Sequence, residues 1–245
     1  MTSMPATPAD PAAALLQRPP RRRIYLMRHG SVDYFQPDGT PVPPHGVALN
    51  AKGCEQADAA GALFAAAGVR FDRVITSGLP RTVETAARVL AAAGQDVPAE
   101  ADPRLQEIRP GRLDAIAREE LVQAFLGVFT ADEDVEQHRF LGGESIGELL
   151  DRALPAWAEL LARSDWRCLL LVLHGGVNRA LLAHALTGRR SFLGRLEQAP
   201  ACINVVDVGE GDVVLRGSNL APTQWLHENE RWTTMEKLLA QYLRL

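Results

Sequence analysis

The stretch IYLMRHGS, Ile24 to Ser31, is an apolar run that ends abruptly in an arginine, a histidine and a glycine. Three apolar residues and a tyrosine, bounded by turn residues, are typical of a buried strand in a parallel sheet. The carboxyl end of such a strand faces the crevice in which open α/β sheets bind ligands, so Arg28 and His29 are candidate site residues. From this stretch alone, a salt-bridged arginine and a hydrogen-bonded histidine at a strand end are an equally good interpretation.

The same pattern returns in CLLLVLHGG, residues 168–176, where a second apolar run reaches His174 and leads into the helical segment VNRALLAHALTG. Earlier segments alternate in the same way, with one helix framed by Asn50 and Gly68 and another that begins near Pro80. CINVVDV and DVVLRGSNL predict a hairpin at the sheet edge, and NERWTTMEKLLAQYLRL predicts a closing amphipathic helix. The alternation indicates an α/β fold, a three-layer α/β/α sandwich with a mostly parallel central sheet.

Length and composition limit the alternatives. The chain has 245 residues, of which 47% are hydrophobic and 23% charged, which favours one domain at 23–245 after a disordered Pro- and Ala-rich tail at 1–22. A net charge of -4 argues against general binding of nucleic acid, and there is no apolar run long enough for a membrane span. The three cysteines form no CxxC pair, so we expect a reducing, cytoplasmic location and no zinc cluster.

Two further features point to the same edge of the sheet. The segment 32–49 is rich in Pro and Gly and has no periodicity, and we expect this long loop to wall the crevice beside His29. Arg81, in TSGLPRTVETA, falls in the first turn of a helix that follows a strand. Two guanidinium groups, two imidazoles and helix N-terminal amides at one edge predict a pocket for a dianion, and phosphate fits best.

These stretches resemble the motifs of the histidine phosphatase superfamily, also called the phosphoglycerate mutase-like family. Its RHG motif is similar to Arg28-His29-Gly30, its second arginine motif to SGLPRTVETA at 77–86, and its second histidine motif to LHGGVNRALL at 173–182. LQE at 105–107 resembles the acid motif of the family, while LNAKGCEQA, GGES and INVVDV with SNL resemble supporting motifs. The resemblance extends roughly from residue 23 to residue 226.

The resemblance implies a reaction through a phosphohistidine at His29, with Glu107 protonating the leaving oxygen and later taking a proton from water. It implies that the phosphate oxygens are held by three residues, Arg28, Arg81 and His174, of which His174 is also counted as catalytic. Ser31 is a further candidate for phosphate binding from the turn after the motif. Three carboxylates are alternative proton donors, namely Asp33, Glu84 and Asp114. No metal or other cofactor is expected, because the guanidinium groups supply the positive charge.

The loops favour the phosphatase branch of this family. SVDYFQPDG follows the RHG motif, and the chain has no counterpart of the Arg-rich insertion found in the glycolytic mutases. We therefore expect a phosphomonoesterase that hydrolyses a small phosphorylated metabolite, with a homodimer as an option. The alternatives are a cofactor-dependent phosphoglycerate mutase and a non-catalytic phosphate-binding scaffold of the same fold.

Overall fold

The computed structural model describes residues 21–131, 133–228 and 230–244. In this part of the chain, six strands form one sheet: β1 (Arg22–Arg28), β2 (Arg73–Thr76), β3 (Ala99–Ala101), β4 (Cys168–Leu173), β5 (Ile203–Val208) and β6 (Val213–Leu220). The α-helices of the same ranges are α1 (Ala51–Ala66), α2 (Pro80–Ala92), α3 (Leu121–Thr130), α4 (Ile146–Ala162), α5 (Gly175–Thr187) and α6 (Thr234–Leu243).

The strand order is β3-β2-β4-β1-β5-β6. Parallel pairing joins β3, β2, β4 and β1, whereas β5 is antiparallel to β1 and to β6. The mostly parallel sheet and the C-terminal hairpin are thus confirmed. Strand β3 was missed by the sequence interpretation, because its three residues are exposed and carry no alternating apolar pattern.

Side chains of the central strands alternate between two hydrophobic layers. Leu169, Leu171 and Leu173 of β4 belong to a core shared with α4 and α5, while Leu170 and Val172 belong to a core shared with α1 and α2. This alternation is the pleat of a strand that is buried on both faces. The predicted three-layer α/β/α arrangement is therefore confirmed.

The element boundaries follow local capping signals. The side chain of Asn50 accepts a hydrogen bond from the Gly53 amide at 2.9 Å, as expected for the N-cap of α1. Helix α6 begins at Thr234, later than NERWTT suggested, because Thr233 and Glu236 form a capping box there. None of the helices in the described ranges is both long and apolar enough to cross a membrane.

The described residues begin one position before β1. The predicted disordered tail at 1–22 lies outside the described residues, apart from Arg21 and Arg22. Arg22 is already the first residue of β1, and Arg21 pairs with Asp212 at the β5–β6 turn. Strand β1 thus includes Arg22, one residue before the domain start at 23 that the sequence pattern indicated.

A third hydrophobic cluster lies apart from the two sheet layers and joins α3 to α6. Its buried members are Leu121 and Phe125 of α3, Leu141 of a short 3₁₀ turn, and Leu239 of α6. The ring of Tyr242 on α6 lies 6.0 Å from that of Phe125. The C-terminal helix is therefore fixed against α3, which places it beside the sheet edge where β1 and β4 end.

A buried ion pair holds the loop after β3 against α4. Arg152 of α4 donates to both carboxylate oxygens of Glu144 at 2.7 and 2.8 Å. The same guanidinium donates to the carbonyls of Arg104, Gln106 and Glu107 at 2.6–3.0 Å. Only 15% of the Arg152 side chain and 6% of the Glu144 side chain are exposed, so each charge depends on the other.

We expect Arg152→Met to lower the free energy of unfolding by about 3–5 kcal/mol, because it leaves the Glu144 carboxylate buried without its partner. Arg112→Met is the matched control, since Arg112 and Asp114 form a pair whose side chains are 80% and 69% exposed, and this change should have little effect. Urea unfolding followed by circular dichroism measures both. Equal stabilities for the two variants would contradict the assigned role of Arg152.

Candidate active site

His29 follows the last residue of β1 and is almost fully buried, with 1% of its surface exposed. Its amide donates to the carbonyl of Leu173 at 3.0 Å, so the ends of β1 and β4 are bonded together. The ring nitrogen Nδ1 lies 2.7 Å from the Gly30 carbonyl, which can only accept. The proton therefore lies on Nδ1, and Nε2 keeps its lone pair.

The electrostatic surroundings keep this imidazole neutral. Burial, together with the positive charges of Arg28 and Arg81, holds the pKa of His29 well below its usual range. A protonated ring would have no lone pair at Nε2, so a low pKa preserves the nucleophilic form at neutral pH. The site thus combines a fixed tautomer with a fixed protonation state.

Arg28 and Arg81 are buried cations at the same edge, 7% and 2% exposed. Arg28 donates to the carbonyl of Gln198 at 2.5 Å and to the hydroxyl of Thr234 at 3.0 Å, while Arg81 donates to the carbonyl of Pro44 at 2.7 Å. Neither has a carboxylate within ion-pair distance among the described residues. Two buried guanidinium groups without a counter-charge create a strong local preference for an anion.

His174 ends β4 and begins α5, and its ring lies edge-on to that of His29 with 5.2 Å between the centroids. Its Nε2 atom is 2.7 Å from the hydroxyl oxygen of Ser77. Burial and the nearby charge of Arg81 hold the pKa of His174 well below its usual range as well. The two imidazoles that the sequence placed at neighbouring strand ends are thus in contact.

The motif SGLPRTVETA brings three functional contacts to one short segment. Ser77 contacts His174, Arg81 lies in the first turn of α2, and Thr85 accepts a hydrogen bond from the Gly30 amide at 3.1 Å. Gly30 must be glycine for a steric reason, because a Cβ atom there would lie 2.5 Å from the backbone oxygen of Gly53 in α1. The residues of the motif are therefore spaced so that the end of one strand and the first turns of the following helix reach the same site.

Several buried polar atoms at this edge have no hydrogen-bond partner among the described residues. Six buried side-chain atoms of this kind occur in the described part of the chain, and three of them are Arg28 Nε, Arg81 Nε and His174 Nδ1. Buried donors normally find partners, because an unpaired donor loses its hydration without compensation. An oxyanion bound beside the His29 imidazole would accept hydrogen bonds from these three nitrogens.

Glu107 reaches the same edge from the loop after β3. Its carboxylate accepts hydrogen bonds from the Gly176 amide at 3.1 Å and from the Ile108 amide at 3.0 Å. A Cβ atom at position 176 would lie 2.6 Å from Glu107 Oε1, so a side chain there would displace this carboxyl group from the start of α5. The predicted acid therefore lies at the helix N-terminus that directly follows His174.

A cavity of about 480 Å³ opens above these residues. Arg28, Arg81 and Glu107 line it, as do Gly175 and Gly176 at the start of α5. The predicted wall from the long loop at 32–49 is confirmed by its side chains in this cavity, which are Tyr34, Phe35, Pro41, Val42, Pro44 and His45. His29 and His174, which are 1% and 0% exposed, are not lining residues themselves, but each is next in the chain to one of them, Arg28 or Gly175.

Ser31, a further predicted phosphate ligand, lies in the turn after the RHG motif. It is not among the residues that line the cavity, and its hydroxyl lies 3.3 Å from the side-chain amide of Asn50. Its backbone carbonyl accepts from the Asn50 amide at 3.0 Å, and its own amide donates to Gln56 at 2.9 Å. These contacts tie Ser31 to the beginning of α1.

The alternative carboxylates are engaged elsewhere. Asp33 accepts from the Asn50 side chain at 2.9 Å, and Glu84 accepts from the Leu49 amide at 3.0 Å. Asp114 lines the cavity mouth, but its carboxylate is paired with Arg112 at 2.6 Å. Among these acidic groups, Glu107 alone is bonded to the start of α5.

Sequence reasoning did not find a polar chain that connects Arg28 with the C-terminal helix. The Thr234 hydroxyl accepts from Arg28 and donates to Glu197 at 3.1 Å, and Glu197 in turn pairs with Arg179 at 2.9 Å. Arg179 belongs to the second histidine motif, LHGGVNRALL at 173–182. The sequence around Thr234 indicates only the start of a helix, because the residues that bond to Thr234 lie far away in the sequence.

Comparison with known proteins gives a consistent result. The family model of the histidine phosphatase superfamily (branch 1) matches residues 24–221. Glucosyl-3-phosphoglycerate phosphatase of Mycolicibacterium vanbaalenii is 32% identical over 67% of this chain and 74% of the relative. Adenosylcobalamin/alpha-ribazole phosphatase of Salmonella typhimurium is 30% identical over 80% of this chain and 96% of the relative.

Solved structures extend the likeness to the whole architecture. The alpha-ribazole phosphatase of Shigella flexneri superposes with a TM-score of 0.64 at 26% identity, covering 80% of this chain and 96% of that one. The strand ends that carry His29 and His174, the helix that carries Arg81 and the loop that carries Glu107 all lie inside the matched residues 24–221. The chain belongs to the histidine phosphatase superfamily.

Proposed function

We propose that this chain is a phosphomonoesterase that hydrolyses a small phosphorylated metabolite through a phosphohistidine intermediate at His29. The observation that carries the proposal is a set of buried nitrogens on Arg28, Arg81 and His174 that have no hydrogen-bond partner in the described part of the chain and lie at the same sheet edge as an imidazole with a free Nε2. The activity is assigned to one domain at 23–245. A cytoplasmic location fits the free cysteines Cys54, Cys168 and Cys202.

In the first step, Nε2 of His29 attacks phosphorus in line, forming an N–P bond as the bond from phosphorus to the ester oxygen breaks. The guanidinium groups of Arg28 and Arg81 hold the equatorial oxygens, where negative charge must be stabilised in the transition state. Nε2 of His174 lies 2.7 Å from the Ser77 hydroxyl, and a neutral ring that accepts this hydrogen bond carries its proton on Nδ1, where it is available to the phosphate. The carboxyl group of Glu107 donates a proton to the departing alkoxide.

In the second step, the carboxylate of Glu107 takes a proton from a water molecule whose oxygen attacks the phosphohistidine. The N–P bond breaks, its electron pair returns to Nε2 of His29, and inorganic phosphate leaves. Because one carboxyl group beside the leaving group serves both steps, the acid of the first step becomes the base of the second.

The family membership and the names of the relatives support this assignment. Both curated relatives described above are named phosphatases, and each matches most of its own length to this chain. Curated phosphoglycerate mutases also match, at 31% identity over 56% of the chain, so the mutase alternative comes from the same family. The preference for hydrolysis rests on the loops beside the RHG motif and on the absence of a mutase-type insertion in the sequence.

We expect a covalent phosphoryl group on His29 when the enzyme is mixed with a ³²P-labelled ester and quenched in base, where phosphoramidates survive. His29→Ala should lose both the label and the turnover, because Nε2 is the proposed nucleophile. His184→Ala, in the last turn of α5, is the matched control and should retain both. A label on Ser31, or turnover without any base-stable phosphoprotein, would contradict the mechanism.

Glu107→Gln should slow hydrolysis of an alkyl phosphate by about a hundredfold or more, because an alkoxide leaves poorly without a proton. The pre-steady-state burst with p-nitrophenyl phosphate should fall much less, since p-nitrophenolate leaves without help. Stopped-flow bursts separate this step from hydrolysis of the intermediate, which also needs Glu107. An equal loss of the two burst rates would show that Glu107 only shapes the pocket, and Asp114→Asn would then be compared in the same way.

The rate should be unchanged by EDTA, because Arg28 and Arg81 provide fixed positive charge where many phosphoryl-transfer sites use Mg²⁺. The measurement is turnover of p-nitrophenyl phosphate before and after dialysis against the chelator, with Mg²⁺ added back to one portion. A marked loss that Mg²⁺ restores would overturn the metal-independent mechanism.

A further inference from the structure

Beyond its phosphate end, the cavity has an apolar wall. Six of the side chains that form this wall are Phe35, Phe125, Phe140, Leu141, Met235 and Leu238. They come from the long loop at 32–49, from α3, from the 3₁₀ turn after it and from α6. A volume of about 480 Å³ is within the usual range of roughly 300–1,000 Å³ for a small-molecule site.

Tyr34, Thr234 and Arg179 are polar lining residues close to the phosphate end, where they contact Arg81, Arg28 and Gly175 respectively. Gln106 is a half-buried lining residue. The other polar side chains of the lining away from Arg28 and Arg81 are exposed to solvent. His45, Arg109 and Asp114 are all exposed, and Asp114 is already paired with Arg112. Phe125 and Leu141, by contrast, are only 2% and 5% exposed. A polyhydroxylated leaving group on that wall would lose hydrogen bonds to water without replacing them, whereas an apolar group would lose none.

The wall is formed before any ligand binds. Phe125 and Leu141 belong to the cluster that fixes α6 against α3, and Met235 and Leu238 pack against that cluster. Tyr242 of α6 contacts Phe35 of the loop at a ring distance of 5.8 Å, which ties the loop to the same helix. A pre-formed apolar surface does not have to be ordered during binding, so its contacts contribute more of their free energy to affinity.

The part of the wall on α6 lies outside the family core. The family model matches residues 24–221, whereas Met235 and Leu238 belong to the helix at Thr234–Leu243. Thr234 at the start of this helix bonds directly to Arg28. The apolar side chains of α6 are therefore held in register with the phosphate site.

We propose that the site selects phosphate monoesters of alcohols with an apolar alkyl or aryl body over esters of polyols, with Met235 and Leu238 as specificity-determining residues. This inference rests on the phosphomonoesterase activity proposed above. The phosphoryl group binds at the two strand ends, and the carbon skeleton of the leaving alcohol lies along α3 and α6.

A series of straight-chain alkyl phosphates from methyl to hexyl tests the inference, because the leaving alkoxides differ little in basicity and the chemistry stays constant. We expect kcat/KM to rise about fourfold for each added CH₂ group until the wall is covered, as the burial of a methylene in an apolar site predicts. Glucose 6-phosphate, also the ester of a primary alcohol, should react more slowly than butyl phosphate. A flat or falling series, or faster hydrolysis of glucose 6-phosphate, would overturn the proposal.

Leu238→Asn should flatten the dependence on chain length, because it places an amide on the wall. Leu243→Asn makes the same change on the same helix at a residue that packs on the α3–α6 cluster but does not line the cavity, and it should retain the steep dependence. Equal flattening in both variants would show a general effect on α6 and would overturn the assignment of Leu238.

Binding of alkyl phosphonates to the unmodified protein gives an independent measurement, because their C–P bond is not hydrolysed. Titration calorimetry should show tighter binding and a more negative heat-capacity change as the chain lengthens. Rising affinity without turnover of any ester would overturn the proposed function and support the inference about the cavity. Turnover of esters with an affinity that does not change with chain length would overturn the inference and leave the proposed function intact.

Discussion

The parallel pairing of β1 with β4 is the constraint on which the site depends. Its register places Arg28 opposite Leu173, and the next amide, that of His29, bonds to the Leu173 carbonyl. The two strands therefore end side by side, and each is followed directly by a histidine at the same edge of the sheet. Because both strands are buried on two faces, a shift of register would expose apolar side chains from both cores at once.

The buried polar groups at this edge lower the local stability of the fold. Arg28, Arg81 and His174 each have a buried nitrogen without a hydrogen-bond partner among the described residues, and burial with the nearby positive charges lowers the pKa of both imidazoles. The unliganded fold bears the cost of desolvating these groups, and the apolar layers on both sides of the sheet offset it. A phosphate dianion would satisfy the unpaired donors together, so binding and folding favour the same geometry.

The proposed acid and the proposed leaving-group wall are supported differently from the proposed nucleophile. His29 is held by the sheet itself, whereas Glu107 lies on an irregular loop whose carbonyls are held by Arg152. The wall belongs to α3, α6 and the long loop, which pack together outside the sheet layers. The reaction centre thus lies on the rigid core, and the elements around it can vary without changing the chemistry.

The sequence by itself determined the strand and helix alternation, the phosphate-binding motifs, and the importance of the loop at 32–49. Those signals are local, because a buried strand, a capped helix or a motif is carried by consecutive residues. Only the tertiary structure decided the pairing of Arg152 with Glu144 under the Glu107 loop, the bond between Arg28 and Thr234, and the packing of α6 on α3. Arg28 and Thr234 lie 206 positions apart, and their contact depends on the path of the whole chain, so neither residue carries a local sign of it. The contacts that join the Ser31 amide and hydroxyl to Gln56 and Asn50 of the α1 region are likewise visible only in the folded chain.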